Sequence, residues 1–368
     1  MRTVKFVDLG KQYQRFRDEI IEVFDEISMS GHYVFGPHLK GFEEAFAAYT
    51  GSTYAVGVAN GSDALYLAMK GLGIGPGDEV ITAPNSFIAS AWTIANTGAK
   101  VVFADVRDDL NIDPVCIENA ITSRTKAIMP VHLTGKIAEM ETIIDIAKRH
   151  NLHIIEDSAQ AVGALRNHQR AGSFGIAAGF SLHPLKNLHV HGDGGVLTTS
   201  DQGLYEEILR WRNHGLRNRD ECAFWGINSR LDAIQAAIAN IKLRHLDETN
   251  SAFREIAHRY TNALSSLVKT PIESENEEQV YHRYMIQTAH RDSLKEFLFQ
   301  RGVDTKINYP IPIHLQEAAK DLGYQQGDFP VTERLAGEIL SLPIYAEMPE
   351  DDVEYVIDQI QQYFTQVV

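Results

Sequence analysis

Cysteine is nearly absent from this chain: 368 residues contain only Cys116 and Cys222, and no CxxC pair. That excludes a disulfide framework and a cysteine-built zinc or iron–sulfur site, and it fits a reducing compartment. Long apolar runs are lacking too. The longest stretch without charge, Ala171 to Leu185, is shorter than a membrane span and is broken by glycine, serine and proline, so no membrane association is expected. The amino-terminal MRTVKFVDLGKQYQRF has no apolar centre of a secretory signal, and a cytoplasmic protein is expected. Positive charge is in deficit, with 34 Lys+Arg against 49 Asp+Glu and a formal net charge of -15. Nucleic acid is therefore excluded as a sequence-independent partner, since no basic stripe is available to replace its counterions. Any anionic ligand must be met by a few locally placed donors.

The remaining composition, 44% hydrophobic and 23% charged, is that of a globular enzyme rather than a disordered chain. At roughly 150 residues per domain the length suggests two domains. Between Tyr54 and Thr199 short β-rich runs alternate with amphipathic stretches: YAVGV, EVIT, KVVFAD, KAIMPVH, LHIIED, AAGFSL and GGVLTT. Most are apolar throughout, as strands covered on both faces are, so an α/β layer structure with a mostly parallel sheet is predicted. Before them, Phe16, Ile20, Val23, Phe24 and Ile27 recur at helical spacing and predict an arm or packing helix over 13–27. After Gly195 helical patterns cover 203–213, 231–246 and 252–267. A polar loop at 273–279, a strand at 281–288, a helix at 293–301, the proline-rich NYPIPIHL and a closing helix at 351–364 follow. The expected division is an arm and large domain over 1–245 and a smaller α+β domain over 246–368.

Three segments carry chemistry. NGSDAL (60–65) follows a strand and opens a helix, so the N–H groups around Ser62 and Asp63 form a phosphate-binding helix end, although the same residues serve as a plain helix cap. EDSAQ (156–160) ends the strand LHIIED, and ligands of open α/β sheets gather outside such carboxyl ends. Lys186 lies in GFSLHPLKNLHVHGDGG, among apolar neighbours that would lower an amine pKa from about 10.4. A buried lysine combined with Asp157 is what a pyridoxal phosphate enzyme needs: an amine to form a Schiff base and a carboxylate to hold the pyridine nitrogen protonated. The spacing of His183, His189 and His191 matches no helical metal pair and no cysteine completes a site, so no metal is expected; substrate contact or proton relay suits them better.

The ordered set NGSDAL, PNSFIAS, EDSAQAVGA, FSLHPLKNL, GDGGVLTT, RNHG and NSRLDAIQAAI resembles the DegT/DnrJ/EryC1/StrS family of sugar aminotransferases over essentially the whole chain. The resemblance implies a fold type I, aspartate-aminotransferase-like subunit and a homodimer with shared active sites. It implies pyridoxal 5'-phosphate held by Lys186 as Schiff-base lysine, with Asp157 on the pyridinium and Gln160 on the ring oxygen. Phe87 would stack on the ring, and Ser62, Asp63 and Ser181 would contact the phosphate, with Asn228 reaching it from the other subunit. Relatives acting as dehydratases replace the lysine or add cysteines, which this chain does not. The implied reaction moves an amino group from L-glutamate to a nucleotide-linked keto-sugar, at C3 rather than C4. An aminocyclitol transaminase and a non-catalytic, cofactor-binding regulatory protein are the alternatives. Anion-binding candidates are Arg217, Arg219, Arg230 and Lys306, while His183, His189, His191 and His314 are candidates for the sugar pocket.

Overall fold

A computed structural model describes residues 2–366. The first part of the chain contains α1 (Leu9–Ser30), α2 (Pro37–Thr50), β1 (Tyr54–Val58), α3 (Gly61–Gly71), β2 (Glu79–Thr82), α4 (Ala89–Thr97) and β3 (Lys100–Phe103). There follow α5 (Pro114–Ala120), β4 (Thr125–Met129), α6 (Met140–His150) and β5 (His153–Asp157). Next come a two-residue hairpin, β6 (Leu165–Arg166) and β7 (Gln169–Arg170), then β8 (Ala177–Ser181), β9 (Gly195–Thr199), α7 (Gln202–Trp211) and α8 (Ala233–Leu243). Seven strands form one sheet in the order β1-β9-β8-β5-β4-β2-β3. The pairs from β8 to β3 are parallel, whereas β9 runs antiparallel to both β1 and β8.

Burial explains the uniformly apolar strands. On one face Val56, Val58, Val80 and Leu197 pack with Leu65, Leu67 and Met69 of α3 and Ile94 of α4. On the other, Ala55, Val196 and Phe180 meet Phe42 and Phe46 of α2 and Ala236 and Ala239 of α8. Each fully buried Leu or Phe contributes about 1.5–3 kcal/mol, so a two-sided sheet of this kind is held mainly by its covering helices.

The second part contains α9 (Leu246–Leu264), β10 (Glu277–Glu278), β11 (Tyr284–Gln287), α10 (Arg291–Gln300), α11 (Pro330–Glu338), β12 (Ile339–Leu342) and α12 (Glu350–Gln366). Antiparallel β11 and β12 form its small sheet, over a core that includes Tyr260, Tyr284, Leu298, Leu342 and Tyr363. The helical pattern expected over 231–246 stops at Leu243, and the one expected from 252 starts already at Leu246, because the chain turns at Arg244–His245 and Asp247 and Glu248 favour a new helix start there. The chain crosses between the two cores. Val4 packs in the second core and bridges Val303, while Ile313 and Phe329 pack in the first. Among the described residues no helix is long and apolar enough to cross a membrane.

One buried carboxylate pins the part of the sheet on which the site is built. Glu156, fully buried in β5, accepts the N–H groups of Gly172, Phe174 and Gly175, each at 2.8 Å, and the Nε2–H of His132 at 3.0 Å. The other imidazole nitrogen, Nδ1, accepts the Ala138 N–H at 3.2 Å, which fixes the tautomer. Glu156→Ala would strand four buried donors at about 1–3 kcal/mol each. The thermal midpoint is expected to fall by roughly 5 °C or more. Glu118→Ala, at an exposed ion pair with Arg149, serves as the control that leaves it in place. Equal midpoints for the two variants would remove Glu156 from this role.

Candidate active site

A cavity of about 780 Å³ opens at the carboxyl ends of β5 and β8 and is closed from the second part of the chain by His282, Arg283, Asn308 and Tyr309. Its first wall is the amino end of α3. Asn60 caps that helix by accepting the Asp63 N–H at 2.8 Å, which leaves the N–H groups of Gly61 and Ser62 without an acceptor among the described residues. The helix end can lie against the sheet only because two glycines meet there. A Cβ on Gly195 would stand 2.3 Å from the Asn60 carbonyl, and one on Gly61 would stand 2.8 Å from Ser181 Cβ. Ser181 ends β8 with its hydroxyl at the cavity, accepting the His183 N–H at 3.3 Å. Asp63 is differently engaged: its N–H is taken by Asn60 and its carboxylate accepts the Ser229 hydroxyl at 2.6 Å, tying α3 to the NSRLD segment. What the wall offers an oxyanion is therefore two N–H groups and the hydroxyls of Ser62 and Ser181.

The second wall is the end of β5. Asp157, only 5% exposed, is oriented by the Ser90 hydroxyl, which donates to Oδ2 at 2.6 Å, and by the Ala159 N–H at 3.2 Å to Oδ1. Gln160 accepts the Thr134 N–H at 2.9 Å through Oε1, so its amide NH2 remains a donor on the cavity side. Phe87 lines the space with an exposed ring, 5.7 Å from that of Tyr309, and Trp92 lies at the rim.

Lys186 sits on the β8–β9 connection and borders the same cavity. The residue is partly buried, and desolvation, with the charge of Arg283 as the smaller contribution, pushes its pKa down to about 8 while Asp157 opposes the shift. The Lys186 carbonyl is held by His189 Nδ1 at 2.9 Å. Burial and the nearby Lys242 push the His189 pKa down to about 3, so the ring is neutral and Nδ1 carries the donated hydrogen.

The structure brings Ser62, Asp63, Phe87, Asp157, Gln160, Ser181, His183 and Lys186 to one cavity and places the other expected residues elsewhere. His189 lies beneath the Lys186 loop. His191 faces outward, its N–H bonded to Gln235 Oε1 at 2.9 Å and its ring edge-on to Tyr13. Arg217 and Arg219 are exposed on the excursion 213–228; Asn228 is also exposed, bridged through its backbone to Asn213. Arg230 donates to Asn213 Oδ1 at 3.1 Å. Lys306 pairs with Asp304 at 2.7 Å on the surface, and His314 is buried against Phe329 with Nε2 3.1 Å from Glu333. Sequence reasoning missed Arg283 and Tyr309; the one available signal was an arginine beside an otherwise apolar strand, YHRYMIQT.

The donor set fits a phosphorylated pyridine aldehyde: an amine of low pKa, a fixed carboxylate, an amide donor, an aromatic face and an oxyanion cradle that a Cβ at Gly195 would disrupt. Comparison with known proteins agrees. A "Pleiotropic regulatory protein" of Geobacillus stearothermophilus is 43% identical over 366 residues, 98% of each chain. A dTDP-3-amino-3,4,6-trideoxy-alpha-D-glucose transaminase of Streptomyces venezuelae is 41% identical over 367 residues, 99% of this chain and 97% of the relative. The crystal structure of S. venezuelae DesV in complex with a ketimine intermediate superposes with a TM-score of 0.98 at 40% identity, covering 100% of both chains. Residues 14–361 match the family model, and the chain belongs to the DegT/DnrJ/EryC1/StrS aminotransferase family.

Proposed function

We propose that this protein is a pyridoxal phosphate-dependent transaminase that moves an amino group from L-glutamate to C3 of a nucleotide-linked keto-sugar, as a cytoplasmic homodimer making an amino sugar. The observation that carries the reading is the Lys186 amine, held at a pKa of about 8 in the cavity that also presents Asp157. When bound, the cofactor supplies an aldehyde carbon that amines attack and a ring that takes up an electron pair. Lys186 would hold that aldehyde and, once displaced by a donor amine, move a proton between donor and cofactor carbons. A pKa near 8 suits it to both tasks at neutral pH. Asp157 would keep the ring nitrogen protonated, and Ser90 keeps Asp157 in place. Gly61, Ser62 and Ser181 would hold the phosphate, Phe87 would pack on the ring, and Gln160 would donate to its oxygen. Asn228, exposed and outside this chain's cavity, would complete the phosphate site of a second copy.

Amination at C3 is supported by the S. venezuelae transaminase, whose name specifies a 3-amino sugar. The regulatory reading has support in the name of the Geobacillus relative. A protein that only senses the cofactor needs no proton carrier of lowered pKa, and the visible absorbance of the loaded protein would then ignore every amino donor.

Three measurements test the assignment. Borohydride reduction of the loaded protein followed by peptide mapping should place the label on Lys186; a label elsewhere, or none, refutes the reading. The rate at which cofactor-free protein reacts with pyridoxal phosphate should rise with pH as the ammonium loses its proton, with a midpoint near 8 instead of the 10.5 of an ordinary lysine. Asp157→Asn should lower turnover on the order of 10²-fold or more. Ser90→Ala, which removes only the orienting bond, should cost roughly 10-fold.

A further inference from the structure

Arg283 is a buried cation without a buried anion. It precedes β11, is 8% exposed, and forms no ion pair among the described residues; its one side-chain bond runs from Nη1 to the His282 carbonyl at 3.0 Å. The other two arginines of similar burial, Arg212 and Arg291, are paired with Glu43 and Asp292. A guanidinium withdrawn from water costs several kcal/mol unless it is compensated, so an unpaired one inside a cavity wall calls for a ligand of opposite charge. The Phe6 ring lies 5.1 Å from the guanidinium carbon, which restricts the group's orientation. The Nε–H and Nη2–H donors have no acceptor among the described residues, and Arg283 borders the cavity that holds Lys186. Burial pushes its pKa only to about 10, which leaves it charged at neutral pH.

We propose that Arg283 binds the α-carboxylate of the amino-acid donor through its planar fork. This rests on the transaminase reading and names the donor's subsite within it. An α-amino acid carries its carboxylate on the same carbon as the amine, so a donor whose nitrogen displaces Lys186 brings that carboxylate close to it, and Arg283 is the neighbouring cation whose charge already acts on Lys186. A paired fork of two N–H donors matches a carboxylate and favours Arg over Lys. The cofactor phosphate has its own cradle at α3, on another wall. A carboxylate on the sugar is the other source of the same chemistry.

The test uses cofactor-loaded protein and follows each half-reaction separately by cofactor absorbance. In Arg283→Gln the half-saturation for L-glutamate should rise roughly 100-fold, with partial recovery in Arg283→Lys. The half-saturation for the keto-sugar against the pyridoxamine form should stay put. Calorimetric binding of glutarate, a dicarboxylate that lacks the amine, should weaken in parallel. In cofactor-free Arg283→Gln the midpoint of Lys186 reactivity should move above 8, which shows an intact fold from which one neighbouring charge is gone. An unchanged glutamate half-saturation overturns the inference, and so does a rise confined to the sugar side, which would assign Arg283 to a sugar anion. Borohydride labelling of Lys186 in the parent separates the two failures: with the label present only the donor subsite falls, and without it the transaminase reading falls as well.

Discussion

Lowering the pKa of an amine to about 8 in a chain that carries a net charge of -15 works against the surrounding carboxylates, and the region around Lys186 does so by partial enclosure and a neighbouring cation. Desolvation is the main cause of the shift, a second cation adds to it, and Asp157 is the carboxylate whose charge opposes it. The placement of Asp157 then becomes exacting. It has to keep its orientation toward a ring nitrogen while remaining too weak an influence to return Lys186 to an ordinary ammonium. Its two short local contacts, from Ser90 and from the Ala159 amide, meet that need by occupying the carboxylate oxygens with neutral donors instead of a salt-bridged cation.

The backbone serves the same end. β9 is antiparallel to β8, so the connection carrying Lys186 returns directly at the carboxyl end of the parallel strands, where α3 also begins. Contact between that helix end and the sheet leaves no room for side chains at Gly61 and Gly195, which is why the GDGG run and the NGSD run belong to one site although they lie far apart in sequence. Glu156 performs the matching task one residue before Asp157, collecting donors from the segment that leads into β8.

How much of this was legible in the chain depended on whether a residue's surroundings were local. The strand runs, the helix start at NGSD, and the motifs holding Asp157, Gln160, Ser181 and Lys186 are each self-contained, and all reach the cavity. The histidines after Lys186 were harder to read. Proximity in sequence put them beside the lysine, but the turn directs His189 beneath the loop and His191 toward α1 and α8. Arg217, Arg219 and Lys306 stood out because charge is visible in a sequence and position is not; all three lie outside this chain's cavity. Arg283 went unread for a different reason: its neighbours Phe6, Thr134 and Tyr309 come from three remote segments. The second sheet was half-read for the same reason, since β12 becomes a strand by pairing with β11 and α11 precedes it without a strong pattern of its own.

Phe6 and Val4 carry one more implication. Val4 is stitched beside Val303, and Phe6 rests against the guanidinium of Arg283, so this segment backs one residue of the cavity from behind. Shortening the chain past Phe6, or fusing a bulky partner that draws this segment away, would loosen a cation deep inside the protein without touching any residue of the α3 cradle. In practice, a handle for purification belongs at the other end of the polypeptide.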